Sequence, residues 1–356
     1  MKEISKFIFM VHPPEEKDLF RIPQVRFLKA LPKGLPEKIV GGLGPFPLFK
    51  IKGIKSKKGK EAEGWVLGLL ATPKMMIQKN PEKTYKLLVK ASKWGEKYGA
   101  SVMGLGAFTS VVGDAGVTVS ERSPITVTTG NSLTVAATIK SIESILKILK
   151  KPISDEKIVV VGATGSIGKA VARLLSKRGA KLILISKTND KLENLAAEIG
   201  DNVVEFGTDV NLLKKAKIIV GATSSSGKAI PVDILKRGSI VVDIALPPEL
   251  SKEEAAKRKD CLVLESGEIL LPGNPEFSYD WPLPKNIAYA CEAETILLSL
   301  TGELGLATLG RDINIDKVER VWKLAEENGF FWAGFRSFGK DLSEDDVSKF
   351  ILKFSL

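Results

Sequence analysis

The N-terminal part of the chain has the mixture of apolar runs and helical patterns that is typical of an α/β domain. Apolar runs at Lys6–Val11 and Trp65–Ala71 predict strands. Pro81–Tyr98 has apolar residues at helical spacing and is followed by a glycine, which predicts a helix and its end. After TTG, a long amphipathic pattern predicts another helix, with Asn131 or Ser132 as its N-cap, that ends before Lys151-Pro152.

From Lys157 onward the pattern changes to short β-branched runs separated by helical stretches. These strand-like runs are KIVVV, AKLILIS, DNVVEF, AKIIVG, SIVVDIALP and DCLVLES. Such alternation predicts βαβ units and therefore a Rossmann-like, doubly wound parallel sheet.

The C-terminal part is predicted to be mainly helical. One apolar helix is expected at Ile287–Leu300, before Gly302, and another at Ile315–Asn328. We therefore predict an N-terminal α/β substrate and catalytic domain over residues 1–151 and a nucleotide-binding domain over residues 152–281. The segment 282–356 is expected to pack on the N-terminal domain and complete it.

The glycine-rich turn GATGSIG lies directly between a predicted strand and a predicted helix. Glycines let the backbone approach a pyrophosphate, and the positive end of the following helix attracts its charge. The spacing is GxxGxxG rather than GxGxxG, and a purely structural turn is the alternative. We predict a dinucleotide site whose cofactor-binding residues here are Gly162, Thr164, Gly165, Ser166, Ile167 and Gly168.

The end of the second predicted strand indicates which dinucleotide is bound. NAD sites usually have an acidic residue about 20 residues past the glycines. This chain has Ser186 and Lys187 there, which suit a 2′-phosphate, so we predict NADPH; an ordinary exposed lysine is the alternative. Thr223 and Ala245 follow two later strands, in the segments 221–225 and 243–247, and are predicted to lie near the nicotinamide.

Composition and charge narrow the function classes. The 356 residues carry a net charge of +11, which favours anionic partners, but no nucleic-acid-binding motif accompanies it. The lysine-rich run Lys50–Lys60 is predicted to be a solvated loop. Without a long apolar run or a signal peptide, we expect no transmembrane segment and a cytoplasmic protein. The two cysteines are too few for a zinc site, so no metal is expected.

Cys291 is the candidate nucleophile. It lies near the start of the predicted apolar helix, where the positive helix end would lower the pKa of its thiol. A buried structural cysteine is the alternative, and Cys261 fits that interpretation better. Glu294 lies on the same helical face and either takes part in proton transfer or satisfies the helix start. His12, the only histidine, is a candidate general acid or an incidental residue at a strand end.

Several segments together resemble the cyanobacterial-type long-chain acyl-[acyl-carrier-protein] reductases and relatives labelled predicted amino acid dehydrogenases. These segments are FMVHP, GLGAFTSVV, TVTTGNSLT, VVGATGSIGKAVARLL, KLENLAAEIG, IVVDIALP and YACEAETILLSLTGE. The resemblance implies that Cys291 is acylated by a fatty acyl thioester and that NADPH reduces the thioacyl-enzyme to a long-chain aldehyde. Glu294 and His12 match family positions, whereas Glu292 stands where the relatives have an aromatic residue.

The resemblance also implies a substrate site and partners. Ser110, Gly130 and Asn131 are expected to shape the acyl pocket or to supply oxyanion donors. An acidic acyl-carrier protein or an acyl-coenzyme A is the expected substrate, since either suits a basic surface. An aldehyde-consuming enzyme is a further expected partner, and the interpretation leaves peripheral membrane contact and the oligomeric state open.

Two alternatives remain at this point. One is an NAD(P)-dependent amino acid or hydroxy acid dehydrogenase that uses the same fold without a covalent intermediate. The other is a nucleotide-sensing or anionic-surface-binding protein that has kept the fold and lost catalysis. A short-chain dehydrogenase is disfavoured because no tyrosine is followed by a lysine four residues later.

Overall fold

A computed structural model describes residues 4–20, 23–40, 43–76, 80–223, 229–245, 248–278 and 283–354, without the side chains of residues 23, 24, 37 and 38. It divides into two compact units. The first comprises Met1–Asn131, Leu270–Arg311 and Arg320–Phe331; the second comprises Ser132–Ile269, Asp312–Glu319 and Trp332–Leu356.

The strands are β1 (Ile4–Val11), β2 (Phe46–Lys55), β3 (Glu61–Gly68), β4 (Val102–Leu105), β5 (Thr126–Thr128), β6 (Lys157–Val161), β7 (Lys181–Ile185), β8 (Val203–Gly207), β9 (Ile218–Gly221), β10 (Ser239–Asp243), β11 (Cys261–Glu265), β12 (Glu268–Leu270), β13 (Gly273–Phe277), β14 (Ile287–Tyr289), β15 (Phe331–Trp332), β16 (Phe335–Ser337) and β17 (Lys340–Leu342).

The α-helices are α1 (Glu16–Leu19), α2 (Leu35–Val40), α3 (Pro73–Met76), α4 (Glu82–Tyr98), α5 (Val117–Arg122), α6 (Asn131–Leu149), α7 (Ser166–Lys177), α8 (Asn189–Ile199), α9 (Lys252–Ala255), α10 (Ala290–Thr301), α11 (Ile315–Asn328) and α12 (Glu344–Phe354). Short 3₁₀ helices occur at Pro23–Ala30, Ala107–Ser110, Ile153–Asp155, Val210–Lys215, Val232–Ile234 and Leu304–Leu306.

The first unit is built on a mixed sheet with the strand order β13-β2-β3-β1-β4-β5. Strand β1 lies at its centre and pairs in parallel with both β3 and β4, while β2 runs antiparallel to β3. The central strand is apolar on both faces because Phe7, Ile8, Phe9 and Met10 are all buried. A strand that reads as a continuous apolar run is expected to be covered on both sides.

Helices α4 and α10 cover the two faces of this sheet, and glycines allow their close approach. A Cβ on Gly95 of α4 would lie 2.6 Å from Ile8 Cδ1 on one face. On the other face, a Cβ on Gly104 of β4 would lie 2.0 Å from Thr295 Oγ1 of α10. Since successive strand residues point to opposite faces, α10 is fixed against the face that carries Phe9.

The second unit contains a larger sheet with the order β17-β16-β11-β10-β9-β6-β7-β8. Strands β6 to β11 pair in parallel, and β16 joins β11 in antiparallel pairing. Numbered from β6, these parallel strands have the order 3-2-1-4-5-6 of the doubly wound dinucleotide-binding fold. The predicted fold class, a Rossmann-like parallel sheet plus a further α/β unit, is confirmed.

Two local predictions differ from the structure. Ile287–Tyr289 forms strand β14 rather than the first turn of a helix, so α10 begins at Ala290. Much of the run Lys50–Lys60 is not a loop, because it includes the end of β2. One of its lysines, Lys50, forms an ion pair in which Nζ lies 2.8 Å from Glu63 Oε1.

The predicted domain boundaries also differ from the observed units. The helix after Asn131 belongs to the second unit, and the segment predicted to complete the N-terminal domain is divided between the two units. Antiparallel pairing of β16 with β11 explains why the last residues belong to the second unit. The predicted boundary at residues 281 and 282 lies outside the described residues, as do the predicted strand-end residues 224, 225, 246 and 247.

Candidate active site

The glycine-rich turn of the second unit has the backbone geometry that a dinucleotide site needs. Gly162 follows β6 with a φ of +78°, and a Cβ there would lie 2.6 Å from Ala222 O. Only glycine fits a left-handed position that packs so closely on a neighbouring strand end. The turn therefore lies between β6 and β9, where the strand order reverses and ligands of such folds bind.

The same turn exposes the start of a long helix. Gly165 is the N-cap of α7, and Ser166, Ile167 and Gly168 form its first turn. A Cβ on Gly168 would lie 2.2 Å from Gly162 O, so the helix and turn can pack only with glycine at this position. First-turn N–H groups have no partners within their own helix, and they can bind a phosphate. The turn residues therefore fit a pyrophosphate.

The residues predicted to select the nucleotide lie at the end of β7. The hydroxyls of Thr164 and Ser186 are 2.5 Å apart and share a hydrogen bond that joins this strand end to the turn. Lys187 is exposed immediately after it. Hydroxyls and a solvated ammonium group suit a 2′-phosphate, and the described residues provide no carboxylate at 186–188 to repel one.

Two buried carboxylates organise the neighbouring strand ends. Thr223 donates its backbone N–H to Glu249 Oε1 at 3.0 Å, and Ala245 donates its N–H to Asp243 Oδ1 at 3.0 Å. Asp243 also accepts the N–H of Glu249 at 2.7 Å. The predicted cofactor residues Thr223 and Ala245 are thus held in place by acids, and Glu249 was not among the predicted residues.

Asp243 titrates unusually because of this environment. Burial raises its pKa to about 7; the hydrogen bonds from Ala245 and Glu249 oppose this rise, while the charge of Glu249 adds to it. A carboxyl at the end of β10 therefore changes charge near neutral pH.

Cys291 lies in the first unit, as the second residue of α10. Gly130, which follows β5 with a φ of +69°, packs directly against it: a Cβ there would lie 2.2 Å from Cys291 Cα and 2.5 Å from its Cβ. The predicted residues Gly130 and Cys291 are therefore brought together, although 160 positions separate them in the sequence. The loop after β5 fixes where the backbone and Cβ of Cys291 lie.

The environment of the Cys291 thiol opposes the effect expected from the helix end. Burial and the negative charges of Glu292 and Glu294 raise its pKa to about 12, and hydrogen bonds from the backbone N–H groups of Glu292 and Cys291 offset this only in part. The expected lowering of the pKa is wrong, because desolvation outweighs the helix end. At neutral pH the group is a thiol, and attack on a carbonyl requires removal of its proton.

Glu294 is completely buried on α10 and is held by two threonines. The hydroxyl of Thr128 donates to its Oε1 at 2.6 Å, and the hydroxyl of Thr308 donates to the same atom at 2.9 Å. The backbone N–H groups of Gly130 and Thr308 donate to the Thr128 hydroxyl oxygen. Through these two hydroxyls Glu294 ties α10 to the strand end that carries the Gly130 loop.

His12 and Ser110 follow the carboxyl ends of β1 and β4, at the same edge of the sheet as the loop after β5, and both side chains bond within the first unit. Phe108 donates its N–H to His12 Nε2 at 3.0 Å, which requires the proton on Nδ1, where it donates to Pro13 O at 3.0 Å. Burial lowers the pKa of His12. With both nitrogens engaged in the neutral ring, His12 is not arranged as a general acid. Ser110 donates to Ala107 O at 2.6 Å.

Of the oxyanion donors proposed near Cys291, Gly130 is likewise engaged. The N–H of Gly130 donates to Thr128 Oγ1 at 3.2 Å, so it is not available in this geometry. Asn131 is buried at the start of α6, one residue beyond the site glycine. The N–H groups that lower the pKa of the Cys291 thiol are those of Cys291 and Glu292 instead.

Sequence reasoning missed Thr128, Thr308, Glu249 and the orphan carboxyl of Glu292. Thr128 lies inside a segment already singled out, TVTTGNSLT, but nothing in the local sequence indicates that Thr308 reaches Glu294. Among the described residues, no cluster of His, Cys, Asp or Glu could hold a metal ion. None of the described helices combines the length and apolarity needed to cross a bilayer.

Comparison with known proteins supports the nucleotide-binding fold. Residues 143–263 match the shikimate / quinate 5-dehydrogenase family. The match covers the parallel strands of the second unit and does not reach Cys291.

Two curated relatives match more of the chain. This chain is 32% identical over 257 residues to aminotransferase PigE of Serratia sp.. That alignment covers 70% of this chain but only 30% of PigE. The chain is 27% identical over 295 residues to the long-chain acyl-[acyl-carrier-protein] reductase of Synechococcus elongatus, covering 78% of this chain and 84% of the reductase.

Among solved structures, the L-tryptophan dehydrogenase from Nostoc punctiforme aligns over 98% of this chain and 87% of its own, at 15% identity and a TM-score of 0.44. A likeness at this level does not bear on function. The strand order, the glycine turn and the matched families together support an oxidoreductase with an NAD(P)-binding fold.

Proposed function

We propose that this protein reduces a long-chain acyl thioester to the aldehyde with NADPH, through a thioacyl-enzyme on Cys291. The observation that supports the proposal most strongly is the packing around Cys291. Its backbone lies against Gly130, and the neighbouring Glu294 is fixed by two hydroxyls. A cysteine kept only as a small hydrophobe would not require a glycine at a position where an added Cβ would lie 2.2 Å from its Cα.

The first step is acyl transfer. The Cys291 sulfur attacks the thioester carbon, and the carrier leaves as a thiol. The N–H groups of Cys291 and Glu292 stabilise negative charge on the sulfur as its proton is lost. Glu294 acts as a positioning residue, because its bonds to Thr128 and Thr308 hold α10 against the Gly130 loop.

The second step is reduction of the bound acyl group. NADPH, when bound, would supply a hydride to the thioacyl carbon. The bond from that carbon to the Cys291 sulfur would then break, releasing the aldehyde and, after uptake of a proton, the Cys291 thiol. The first turn of α7 would hold its pyrophosphate, and Ser186 and Lys187 its 2′-phosphate. Asp243 and Glu249 keep the strand ends beside the turn in position through bonds to the backbone of Ala245 and Thr223.

The substrate carrier is proposed from charge. A net charge of +11 favours an acidic acyl-carrier protein or the phosphates of coenzyme A. The matched reductase of Synechococcus elongatus is named for the carrier-protein substrate, and that name supports the same choice. An enzyme that consumes the aldehyde is a further proposed partner.

Steady-state turnover of palmitoyl-coenzyme A, with the aldehyde measured by gas chromatography, tests the proposal. Cys291→Ala is expected to abolish aldehyde formation, while the matched control Cys261→Ala retains it, because Cys261 begins a strand of the second unit. NADPH should be used in preference to NADH. Near-normal turnover by Cys291→Ala would reject the thioacyl mechanism.

One alternative has an observation in its favour. The match of residues 143–263 to the shikimate / quinate 5-dehydrogenase family suits a dehydrogenase of an amino acid or hydroxy acid that needs no covalent intermediate. Oxidation of such substrates by Cys291→Ala at the wild-type rate, without any reduction of acyl thioesters by the wild type, would favour this alternative.

A further inference from the structure

Helix α4 of the first unit carries a row of exposed lysines along one side. The row consists of Lys83, Lys86, Lys90, Lys93 and Lys97. At 3.6 residues per turn, these spacings of three and four residues place the lysines within an arc of about 80°, along about 21 Å of the helix. The buried residues of α4 occupy the opposite side. We call this row the α4 lysine stripe.

The charges of the α4 lysine stripe are not neutralised within the protein. Among the described residues, four of its side chains take part in no ion pair or hydrogen bond: those of Lys86, Lys90, Lys93 and Lys97. Like charges three or four residues apart destabilise a helix. By contrast, Lys349 of α12 lies 2.6 Å from Asp345, one turn earlier on its own helix. An unneutralised row of positive charge attracts an anionic partner.

The α4 lysine stripe begins at the same edge of the sheet as the candidate active site. Helix α4 connects β3 to β4, which both run parallel to β1, so its first turn lies towards the carboxyl ends of these strands. The Tyr85 hydroxyl of α4 accepts the N–H of Asp114 at 3.2 Å. In the same segment, a Cβ on Gly116 would lie 3.6 Å from Thr129 Cγ2. Thr129 directly precedes the glycine against which Cys291 packs.

The surroundings of the stripe favour a folded acidic protein as the partner. Every apolar side chain of α4 is at least partly buried, so a membrane would find no exposed apolar anchor there. The same burial leaves no fully exposed ring on which the bases of a single-stranded nucleic acid could stack. The phosphates of one coenzyme A span only part of the row, whereas a row of carboxylates on a protein surface can match its length.

We propose that the α4 lysine stripe is the docking surface for an acidic acyl-carrier protein. This inference rests on the proposed function, and it assigns the carrier protein rather than coenzyme A to this surface. The carrier protein lies along α4 with its carboxylates against the lysines. Its flexible arm then passes over the start of α4 to the sheet edge, where the thioester meets Cys291.

Reversing two charges of the stripe tests the proposal. Lys86→Glu/Lys90→Glu should lower kcat/KM for a palmitoyl group on an acidic acyl-carrier protein about tenfold, because steering of the charged partner is lost. Turnover of palmitoyl-coenzyme A should be unchanged, and so should kcat at saturating carrier protein. Added salt should lower kcat/KM for the carrier-bound substrate in the wild type and much less in the variant. Lys86→Gln/Lys90→Gln should lower it about threefold.

A matched control makes the same change of charge elsewhere. Lys349→Glu/Lys353→Glu reverses two exposed lysines four residues apart on α12, in the second unit, and should leave both substrates unaffected. An equal fall of kcat/KM in this control, or with palmitoyl-coenzyme A in the stripe variants, would overturn the docking surface.

Two other results separate the possible failures. Loss of binding to phosphatidylglycerol vesicles in Lys86→Glu/Lys90→Glu, with unchanged turnover of the carrier-bound substrate, would assign the stripe to a lipid surface and overturn the proposal. If the wild type formed aldehyde from neither substrate, the proposed function itself would fail, and this inference with it.

Discussion

Replacing Gly130 with alanine tests whether the loop after β5 sets the position of Cys291. The new Cβ would lie 2.2 Å from Cys291 Cα, 2.5 Å from Cys291 Cβ and 2.6 Å from Cys291 O. These atoms belong to the backbone and the first side-chain carbon, so they cannot rotate away. Either the loop or the start of α10 must move.

Two costs add in this substitution. The φ of +69° at Gly130 is a left-handed conformation that disfavours alanine by about 1–2 kcal/mol. Overpacking of a close-fitted site adds about 1–3 kcal/mol. The free energy of unfolding should therefore fall by about 2–5 kcal/mol.

Gly302→Ala is the matched control. Gly302 is the C-cap of α10 and has a φ of +78°, and a Cβ there would meet nothing within 4 Å. It should show only the conformational cost of about 1–2 kcal/mol. Urea unfolding gives the stability of each variant, and aldehyde formation gives its activity. Equal destabilisation by the two substitutions, with activity retained in Gly130→Ala, would refute the placement of Cys291 against Gly130.

Three further predictions concern the nucleotide-binding unit. Gly168→Ala should weaken NADPH binding more than about tenfold in a fluorescence titration, since its Cβ would lie 2.2 Å from Gly162 O; unchanged affinity would contradict the proposed turn. Lys187→Ala should raise the KM for NADPH about three- to tenfold and leave that for NADH unchanged, which would not hold if the lysine were only a surface residue. Asp243→Asn should remove a pH dependence of stability. Burial raises the folded-state pKa of Asp243 from 3.8 to about 7, so the folded state binds its proton more tightly and stability is lost as pH rises through that window. Between pH 3.8 and about 7, the unfolding free energy of the wild type should fall relative to that of Asp243→Asn. A difference between the two proteins that stays constant over this range would contradict the raised pKa of Asp243.

The parts of the fold that sequence predicted well are those with strong local signals. The strand Lys157–Val161, the turn from Gly162 and the helix Ser166–Lys177 combine a β-branched run, glycines that permit a tight turn and apolar residues at helical spacing. The helix Ile315–Asn328 was predicted with its observed bounds for the same reason. By contrast, Ile287–Tyr289 joins an apolar run that continues into α10, and periodicity alone cannot separate a short strand from a buried helix there.

The chemistry of the site was less accessible from sequence because it depends on tertiary contacts. Thr128 and Thr308 reach Glu294 from positions 166 and 14 residues away, so no local pattern links the three. The direction of the Cys291 pKa shift was wrong because the helix end was visible in the sequence, whereas the depth of burial and the nearby charges were not. His12 lies at a strand end as expected, but the bond from Phe108 could not be foreseen.

The most direct test of the account is to detect the acyl group on the enzyme. The full chain is incubated with palmitoyl-coenzyme A without NADPH, digested, and the peptide that contains Cys291 is examined by mass spectrometry. We predict a palmitoyl thioester on Cys291 that disappears, with release of one equivalent of aldehyde, when NADPH is added. An unmodified Cys291 peptide from protein that nevertheless forms aldehyde would contradict the account.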